Sequence, residues 1–247
     1  MRWFKADLHL HSVLSPCGDL AMSPRAVLEK ACQQELDLIA ITDHNTMANC
    51  PAFLEVANRY HINMLYGLEV HTAEEIHIII LFDDFEPAFA FSKIIYDALL
   101  PVANDPDFFG DQVVVDQDDN ILKFEEKALI NSSILPIDEI VNIANQHGAF
   151  IFPAHVDAAS YSIIGQLGMI PEYLQFDACG ITAKADVKKL IAQYPQLAEY
   201  TLIRNSDAHY LKDIGAGYTE FYLDAPTVAE LKKACRSECG RKVFLKN

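Results

Sequence analysis

The segment Asp7-Leu8-His9-Leu10-His11 constrains this chain more than any other. Trp3 to Leu10 is a short, mostly apolar run, which predicts a buried strand. Side chains alternate along a strand, so His9 and His11 share a face with Cα atoms about 7 Å apart. Two imidazoles converging at one strand end suit a borderline metal ion. An isolated His-x-His more often means two histidines that merely share a face. The rest of the chain decides, because nearly every later strand-like segment ends in another His, Asp or Glu.

Ser23-Pro24 marks a helix start, with Ser as N-cap and Pro at the first helical position. Val27, Leu28 and Ala31 give that helix an apolar stripe up to about Gln34. Leu36 to Thr42 predicts a second buried strand, which delivers Asp43 and His44. A helix over Cys50 to Tyr60 precedes a third strand, Asn63 to Val70, which carries Glu69 with His71 just beyond. Ile76 to Phe82 predicts a fourth strand with His77 near its start. Later, a helix from Pro136 to His147 leads into the strand Ala149 to Pro153, which delivers His155 and Asp157. Leu174 to Ala178 reads as a further strand, followed by a helix from Ala185 to Tyr194. Thr201 to Ser206 then delivers Asp207 and His209. A strand over Glu220 to Leu223 and a helix from Pro226 to about Ser237 close the chain. Alternating strands and helices imply a parallel α/β sheet. Polar residues gather at strand carboxyl ends, where a βα-barrel builds its active site.

Residues 83–133 break this rhythm. Pro87 to Leu100 reads as a helix, and Val113-Val114-Val115 with Ile121 to Phe124 as a hairpin. Asp116-x-Asp118-x-Asn120 imitates a calcium loop, but Ile121 and Lys127 stand where Gly and Glu are required, so an acidic turn is expected. The stretch reads as an insertion or lid that helps choose the substrate. Its helix, around Phe89 to Leu99, offers either a dimer face or a surface packed on the barrel.

Length and composition narrow the class. A chain of 247 residues with 51% hydrophobic content fits one large α/β domain. The apolar runs are far too short for a membrane span and no targeting segment is evident, which makes the cytoplasm the expected location. Six cysteines without a Cys-x-x-Cys pair exclude a zinc finger or a disulfide scaffold. Cys32 and Cys179 are expected to pack as small hydrophobes, Cys235 and Cys239 to lie at the surface. A formal charge of -16 disfavours a Lys- and Arg-lined polyanion groove, so a small phosphorylated substrate is favoured over long nucleic acid.

The strand-end residues His9, His11, His44, Glu69, His77, His155, Asp207 and His209 exceed what a single ion can use. A carboxylate such as Glu69 can bridge two ions, and closely spaced ions can generate a hydroxide and clamp a phosphoryl group. Asp43 and Asp157 flank ligands and are expected to support catalysis by orienting them, with Asp157 also able to shuttle a proton. His71 reads as a rim residue. Arg25, Lys184 and Arg204 are the basic candidates for holding phosphate, and Arg204 falls on the face opposite Asp207.

His9-x-His11, Thr42-Asp43-His44, Gly67-Leu68-Glu69, Ile76-His77-Ile78, Pro153-Ala154-His155 and Ser206-Asp207-Ala208-His209 together resemble the PHP family (polymerase and histidinol phosphatase), in the family's order. The resemblance implies one domain over residues 1–247: a distorted TIM-like (β/α)7 barrel with an inserted helix-hairpin segment. It also implies three divalent metal ions, zinc, manganese or iron. His9, His11, Glu69 and Asp207 would hold one, and Glu69 with His77 and His155 the second. His44 and His209 would hold the third with a ligand from the loop after the first strand, where Asp19 is preferred and Cys17 is the alternative. The implied activity is hydrolysis of a small phosphomonoester, nucleotide- or histidinol-phosphate-like, by a metal-bridging hydroxide. A 3′–5′ exonuclease or other phosphodiesterase, an amidohydrolase, and a metal-loaded regulatory module are the competing readings.

Overall fold

A computed structural model describes residues 1–245. The first half runs β1 (Arg2–Leu10), α1 (Pro24–Gln33), β2 (Leu38–Ile41), α2 (Cys50–Tyr60), β3 (Asn63–His71) and β4 (His77–Phe82). The insertion supplies α3 (Phe85–Asp97), the single turn α4 (Pro106–Phe109), β5 (Val113–Val115) and β6 (Ile121–Phe124). The remainder is α5 (Ile137–Gln146), β7 (Phe150–Pro153), α6 (Ile163–Leu167), β8 (Cys179–Ile181), α7 (Val187–Gln193) and β9 (Leu202–Arg204). It ends with β10 (Thr219–Leu223), α8 (Val228–Cys235) and β11 (Lys242–Phe244).

One sheet has the order β11-β10-β1-β2-β3-β4-β7, and β8 pairs separately with β9. Backbone bonds join the two into a ring. Val156 N–H donates to the Gly180 carbonyl at 2.8 Å beyond β7, and His11 N–H donates to Ala208 at 3.0 Å beyond β9. Strands β1, β2, β3, β4, β7, β8 and β9 thus form a distorted, TIM-like seven-stranded barrel, with β10 and β11 extending outward from β1.

The sheet is not wholly parallel, which corrects the expectation from strand–helix alternation. β1, β2 and β3 are parallel, but β3–β4, β4–β7 and β1–β10 are antiparallel. Only a short turn separates His71 from His77, far too short for a crossover helix, so the chain must double back. That reversal puts the start of β4 on the same rim as the end of β3, and His77 sits directly opposite His71. A second correction concerns the stretch Leu174 to Ala178, which is not a strand: pairing begins at Cys179, where β8 meets β9. The short strand β11 has no clear signal in the sequence.

The barrel interior is filled by Leu8, Leu38, Leu65, Ile79, Leu81, Phe150, Phe152 and Ile203, and α8 packs on this cluster through Val228, Leu231 and Ala234. The opposite strand faces pack against the helices through Ile39, Ile41, Leu68 and Ile80 with Val27, Leu28, Phe53 and Val56. The interior leaves no room at Gly67. A Cβ there would lie 2.8 Å from Leu81 and Thr42 side-chain carbons. Gly67 shares a strand face with Glu69, so this narrow waist forms the floor below that carboxylate.

The stretch 83–133 packs beside the barrel. Ala88, Phe91 and Ile95 of α3 are buried, whereas Phe89 is 56% exposed. The acidic stretch is a tight turn, with Asp116 accepting from Asp118 and Asn120 backbone N–H groups. Arg25 and Arg59 pair with Asp118 at its tip. Two cysteines depart from expectation: Cys32 is exposed, and Cys235 is partly buried beside the barrel-floor cluster.

β11 is fastened by Arg241, whose guanidinium donates to Glu230 of α8 and pairs with Asp224. The Arg241 hydrogen bonds hold the Glu230 carboxyl down at about 2. A depressed carboxylate stabilises the fold above its ordinary range and loses that contribution as pH falls through the folded value. Glu230→Gln is therefore expected to lower Tm by about 3 °C at pH 7. The difference should shrink between pH 4.5 and 2, as thermal melts of both proteins across pH would show.

Candidate metal centre

The ligand candidates converge on one rim because each lies where its strand leaves or enters the barrel. His9 and His11 end β1, His44 follows β2, Glu69 closes β3, and His77 opens β4. His155 follows β7, while Asp207 and His209 follow β9. Bridges between His44 and Glu69, and between Leu10 and Ala208, tie these ends together. His155 and Asp207 both adopt left-handed backbone, with φ of 31° and 52°. Such strain in non-glycine residues is typical of side chains aimed at a site.

Glu69 is the hub. Its Oε1 lies 3.0 Å from His77 Nδ1, 3.2 Å from His9 Nε2 and 3.4 Å from His155 Nε2. Its Oε2 lies 3.2 Å from His44 Nδ1 and 3.3 Å from His11 Nε2. Asp207 Oδ1 stands 3.2 Å from both His9 Nε2 and His11 Nε2. Despite these approaches, Glu69 Oε1, Asp207 Oδ1, His44 Nδ1 and His155 Nδ1 are buried without a hydrogen-bond partner. Buried polar atoms are rarely left so, since each costs about 1–3 kcal/mol.

Neighbouring contacts fix which nitrogens face inward. The Ser15 hydroxyl donates to Asp43 at 2.7 Å, so it accepts from His11 Nδ1–H at 2.8 Å. His209 Nδ1–H donates to the Asp207 carbonyl at 2.8 Å. With Nδ1 engaged in these contacts, Nε2 is the nitrogen that each of His11 and His209 turns towards the cluster, where a metal would bind. His9 Nε2 and His11 Nε2 are only 3.1 Å apart, an approach that needs a proton or a cation between them. Three overlapping sets of ligand atoms result: His9, His11 and Glu69; His44, Glu69 and His77; and His11, Cys17, His44 and His209. Imidazole, carboxylate and thiol donors with unpartnered atoms facing one another fit divalent cations.

The charge distribution has the same origin. Burial works against a charged His11, yet Asp207 and Glu69 outweigh it and hold its pKa well above the usual value. His44 is driven well below by burial and by the charges of its neighbouring histidines. His209 falls to about 4, through burial and the charge on His11. Burial would raise the carboxyls of Glu69 and Asp207, but the surrounding imidazoles keep both well below the ordinary range. The cluster thus holds two anions whose natural counterions are cations.

The structure brings together eight of the nine expected ligands and sets the ninth apart. Asp19 is exposed and accepts from Ala21 N–H at 2.8 Å within its own loop. Cys17 takes the place beside the cluster, with Sγ 3.3 Å from His44 Nε2. Asp43 and Asp157 do not line the pocket. Asp43 is 1% exposed and accepts from Ser12 N–H, the Ser12 hydroxyl and the Ser15 hydroxyl. It therefore acts through the loop, by holding Ser15 against His11. Asp157 spends both carboxylate oxygens on Thr182 N–H and Oγ1, which fixes Thr182 at the pocket wall. His71 donates its Nδ1–H to the Ile130 carbonyl and packs edge-on to His77.

Two supporting groups were not singled out from the sequence. Asp7 is fully buried and accepts from Ser206 and Gly215 N–H groups, which pins the loop carrying Asp207. Burial pushes its carboxyl up to about 6 against those bonds. Asn205 accepts from Leu8 N–H and joins the same loop to β1. A carboxylate inside an apolar strand was a usable signal for Asp7; Asn205, like Ser12 and Ser15, had none.

The pocket above the cluster has a volume of about 340 Å³ and is walled by Cys17, Ile130, Ala158, Ser160, Tyr161 and Thr182 besides His44, Glu69, His77, His155, Asp207 and His209. Among the described residues, no Lys or Arg lines it. Arg25 is held by Asp118 on the hairpin, Arg204 donates to the Ala185 carbonyl, and Lys184 is exposed. Among the described residues of the stretch 83–133, only Ile130 reaches the wall.

Residues 7–199 match the PHP domain and residues 197–238 the PHP-associated segment. The chain is 35% identical over 78 residues to the 5′-3′ exoribonuclease Rnm of Salmonella typhimurium, covering 30% of this chain and 26% of that protein. It is 36% identical over 64 residues to the phosphoribosyl 1,2-cyclic phosphate 1,2-diphosphodiesterase of Eggerthella lenta, covering 26% of this chain and 23% of that one. The matches therefore span well under half of these curated relatives. In fold it is similar to a lesion-specific endonuclease from Pyrococcus furiosus, with a TM-score of 0.71 at 18% identity. That similarity covers 98% of this chain and 58% of the endonuclease. Among the described residues no helix is long and apolar enough to cross a membrane.

Proposed function

The chain belongs to the PHP family, whose domain it matches over most of its length, and from that premise we propose that it is a metal-dependent phosphoesterase acting on a small phosphodiester. The observation that carries the choice of diester is the absence of Lys and Arg from the pocket wall among the described residues. A phosphomonoester approaches two negative charges at neutral pH, and such groups are usually gripped by Arg or Lys. A diester carries one. The exoribonuclease and the cyclic diphosphodiesterase, both named for diester substrates, support the same reading.

Divalent cations at such a centre would acidify a water and neutralise charge on phosphoryl oxygens. His9, His11, Glu69 and Asp207 would hold one, and His77 and His155 with Glu69 another. His44, His209 and Cys17 would hold a third. Around them the chain supplies rigidity. Asp43 through Ser15 fixes His11, and Asp7 with Asn205 fixes the loop of Asp207. Thr182, held by Asp157, presents its side chain at the wall where a phosphoryl group would sit. Asp157, spent on Thr182, is better suited to positioning than to moving a proton. A thiolate in the third set biases it towards zinc over manganese. Cys17→Ala is expected to retain one cation fewer per chain after dialysis against zinc, whereas Asp19→Ala keeps the full complement, as elemental analysis would show.

A phosphomonoesterase is the second reading, favoured by the small pocket and the acidic chain. The experiment is phosphoester hydrolysis by protein loaded with zinc or manganese. The panel would include dinucleotides, a 2′,3′-cyclic nucleotide, nucleoside monophosphates and sugar phosphates. Diester cleavage is the expected result. Turnover of monoesters alone would replace the diester reading with the phosphatase. No turnover by protein with its cations bound would leave a non-catalytic module.

A further inference from the structure

We propose that Tyr161 is a stacking platform for a nucleobase, so that the ester cleaved at this centre carries a purine or pyrimidine next to its phosphorus. The inference rests on the phosphoesterase reading above. Tyr161 lies at the pocket wall, and its ring is parallel to that of His77, with centroids 4.7 Å apart and planes within 6°. The His71 ring meets it edge-on at 5.2 Å. With one face on His77 and one edge against His71, the residue is still 44% exposed, and among the described residues no further aromatic ring covers its other face.

The chain goes to some length to hold that ring there. Tyr161 has φ of 57°, a left-handed conformation unfavourable for a residue with a Cβ. Its carbonyl accepts from His77 N–H at 2.8 Å, which locks the strained residue to the ligand that it covers. The loop is braced further by Ser162, whose hydroxyl donates to Ala158 and accepts from Gly165 N–H. Strain maintained by surrounding structure points to a role at the site.

An exposed aromatic face one ring outward from a metal ligand suits a nucleotide, whose base is set off from its phosphorus by the sugar. Stacking tolerates any base. With no Lys or Arg along the pocket among the described residues to track further phosphates, one nucleotide unit is what the site can grip. This favours a dinucleotide or the end of a short strand over long duplex.

The test compares the metal-loaded wild type, Tyr161→Phe and Tyr161→Asn on a dinucleotide and on its two abasic analogues, each lacking one base. Asn tolerates left-handed backbone, so the loop is preserved while the ring is lost. Stacking supports a KM for the dinucleotide about tenfold lower than for one abasic analogue. Tyr161→Asn should raise KM to the abasic level with kcat within about twofold, and Tyr161→Phe should keep the low KM. Equal loss by Tyr161→Asn on the dinucleotide and on both abasic esters would assign a merely structural role and overturn the platform. So would equal losses by the Phe and Asn variants. If the wild type hydrolyses only monoesters, the diester reading fails separately. The platform is then judged by the same variants on a nucleoside monophosphate against ribose phosphate. Wild type inert towards every ester would overturn both.

Discussion

Glu69→Gln is expected to lower kcat/KM by at least about three orders of magnitude, on the order of 4 kcal/mol of transition-state stabilisation. The substitution changes almost no volume, so packing above the Gly67 waist is kept. It alters the one residue whose oxygens lie within 3.4 Å of five different imidazoles. An amide replaces one carboxylate oxygen by an NH2 group that cannot ligate a cation, and it removes the buried charge that offsets the cations. Metal content should fall together with activity, while the circular dichroism spectrum is retained. A Glu69→Gln protein keeping a tenth of wild-type activity would place the chemistry elsewhere.

Chelation should be the second large effect. Removing the cations is expected to lower Tm by about 10 °C or more, reversibly on adding zinc or manganese. Ligands bound only by the folded state stabilise it by roughly 4 kcal/mol at a thousandfold excess over Kd, and more than one ion is at stake. In a domain of this size each kcal/mol corresponds to about 2–4 °C. Without cations, His9 and His11 nitrogens 3.1 Å apart and the orphaned oxygens of Glu69 and Asp207 must be accommodated by protons alone. Thermal melts with and without chelator would check it, and a Tm unmoved by chelation would count against a resident metal centre.

Much of the cluster was legible because residues able to ligate a metal, when they lie at strand ends, leave a pattern along the chain. His9 and His11 announce themselves by period-two spacing, and Glu69, His77, His155 and the Asp207–His209 pair each follow or open an apolar run. What spacing could not reveal is which loop residue turns inward. Asp19 and Cys17 are two positions apart in one loop. Choosing between them depends on the backbone turn, in which Gly18 N–H donates to Ser15 and Asp19 N–H donates to His209. The roles of Asp43 and Asp157 were obscured in the same way. Both stand next to ligands in sequence, yet their oxygens are taken by Ser12, Ser15 and Thr182.

By itself, the sequence determined an α/β chain with metal-competent residues at its strand ends, since hydrophobic periodicity places strands and side-chain alternation assigns faces, while the barrel was implied by the resemblance of its motifs to the PHP family. Tertiary structure decided the direction of β4, the pairing of β8 with β9, the place of Cys17 beside His44 and the ring of Tyr161 upon His77. These depend on contacts between residues far apart in the chain and on turns with unusual backbone angles. Burial then decides whether a carboxylate faces a cation, an imidazole or a hydroxyl, and no local pattern in the sequence records that choice.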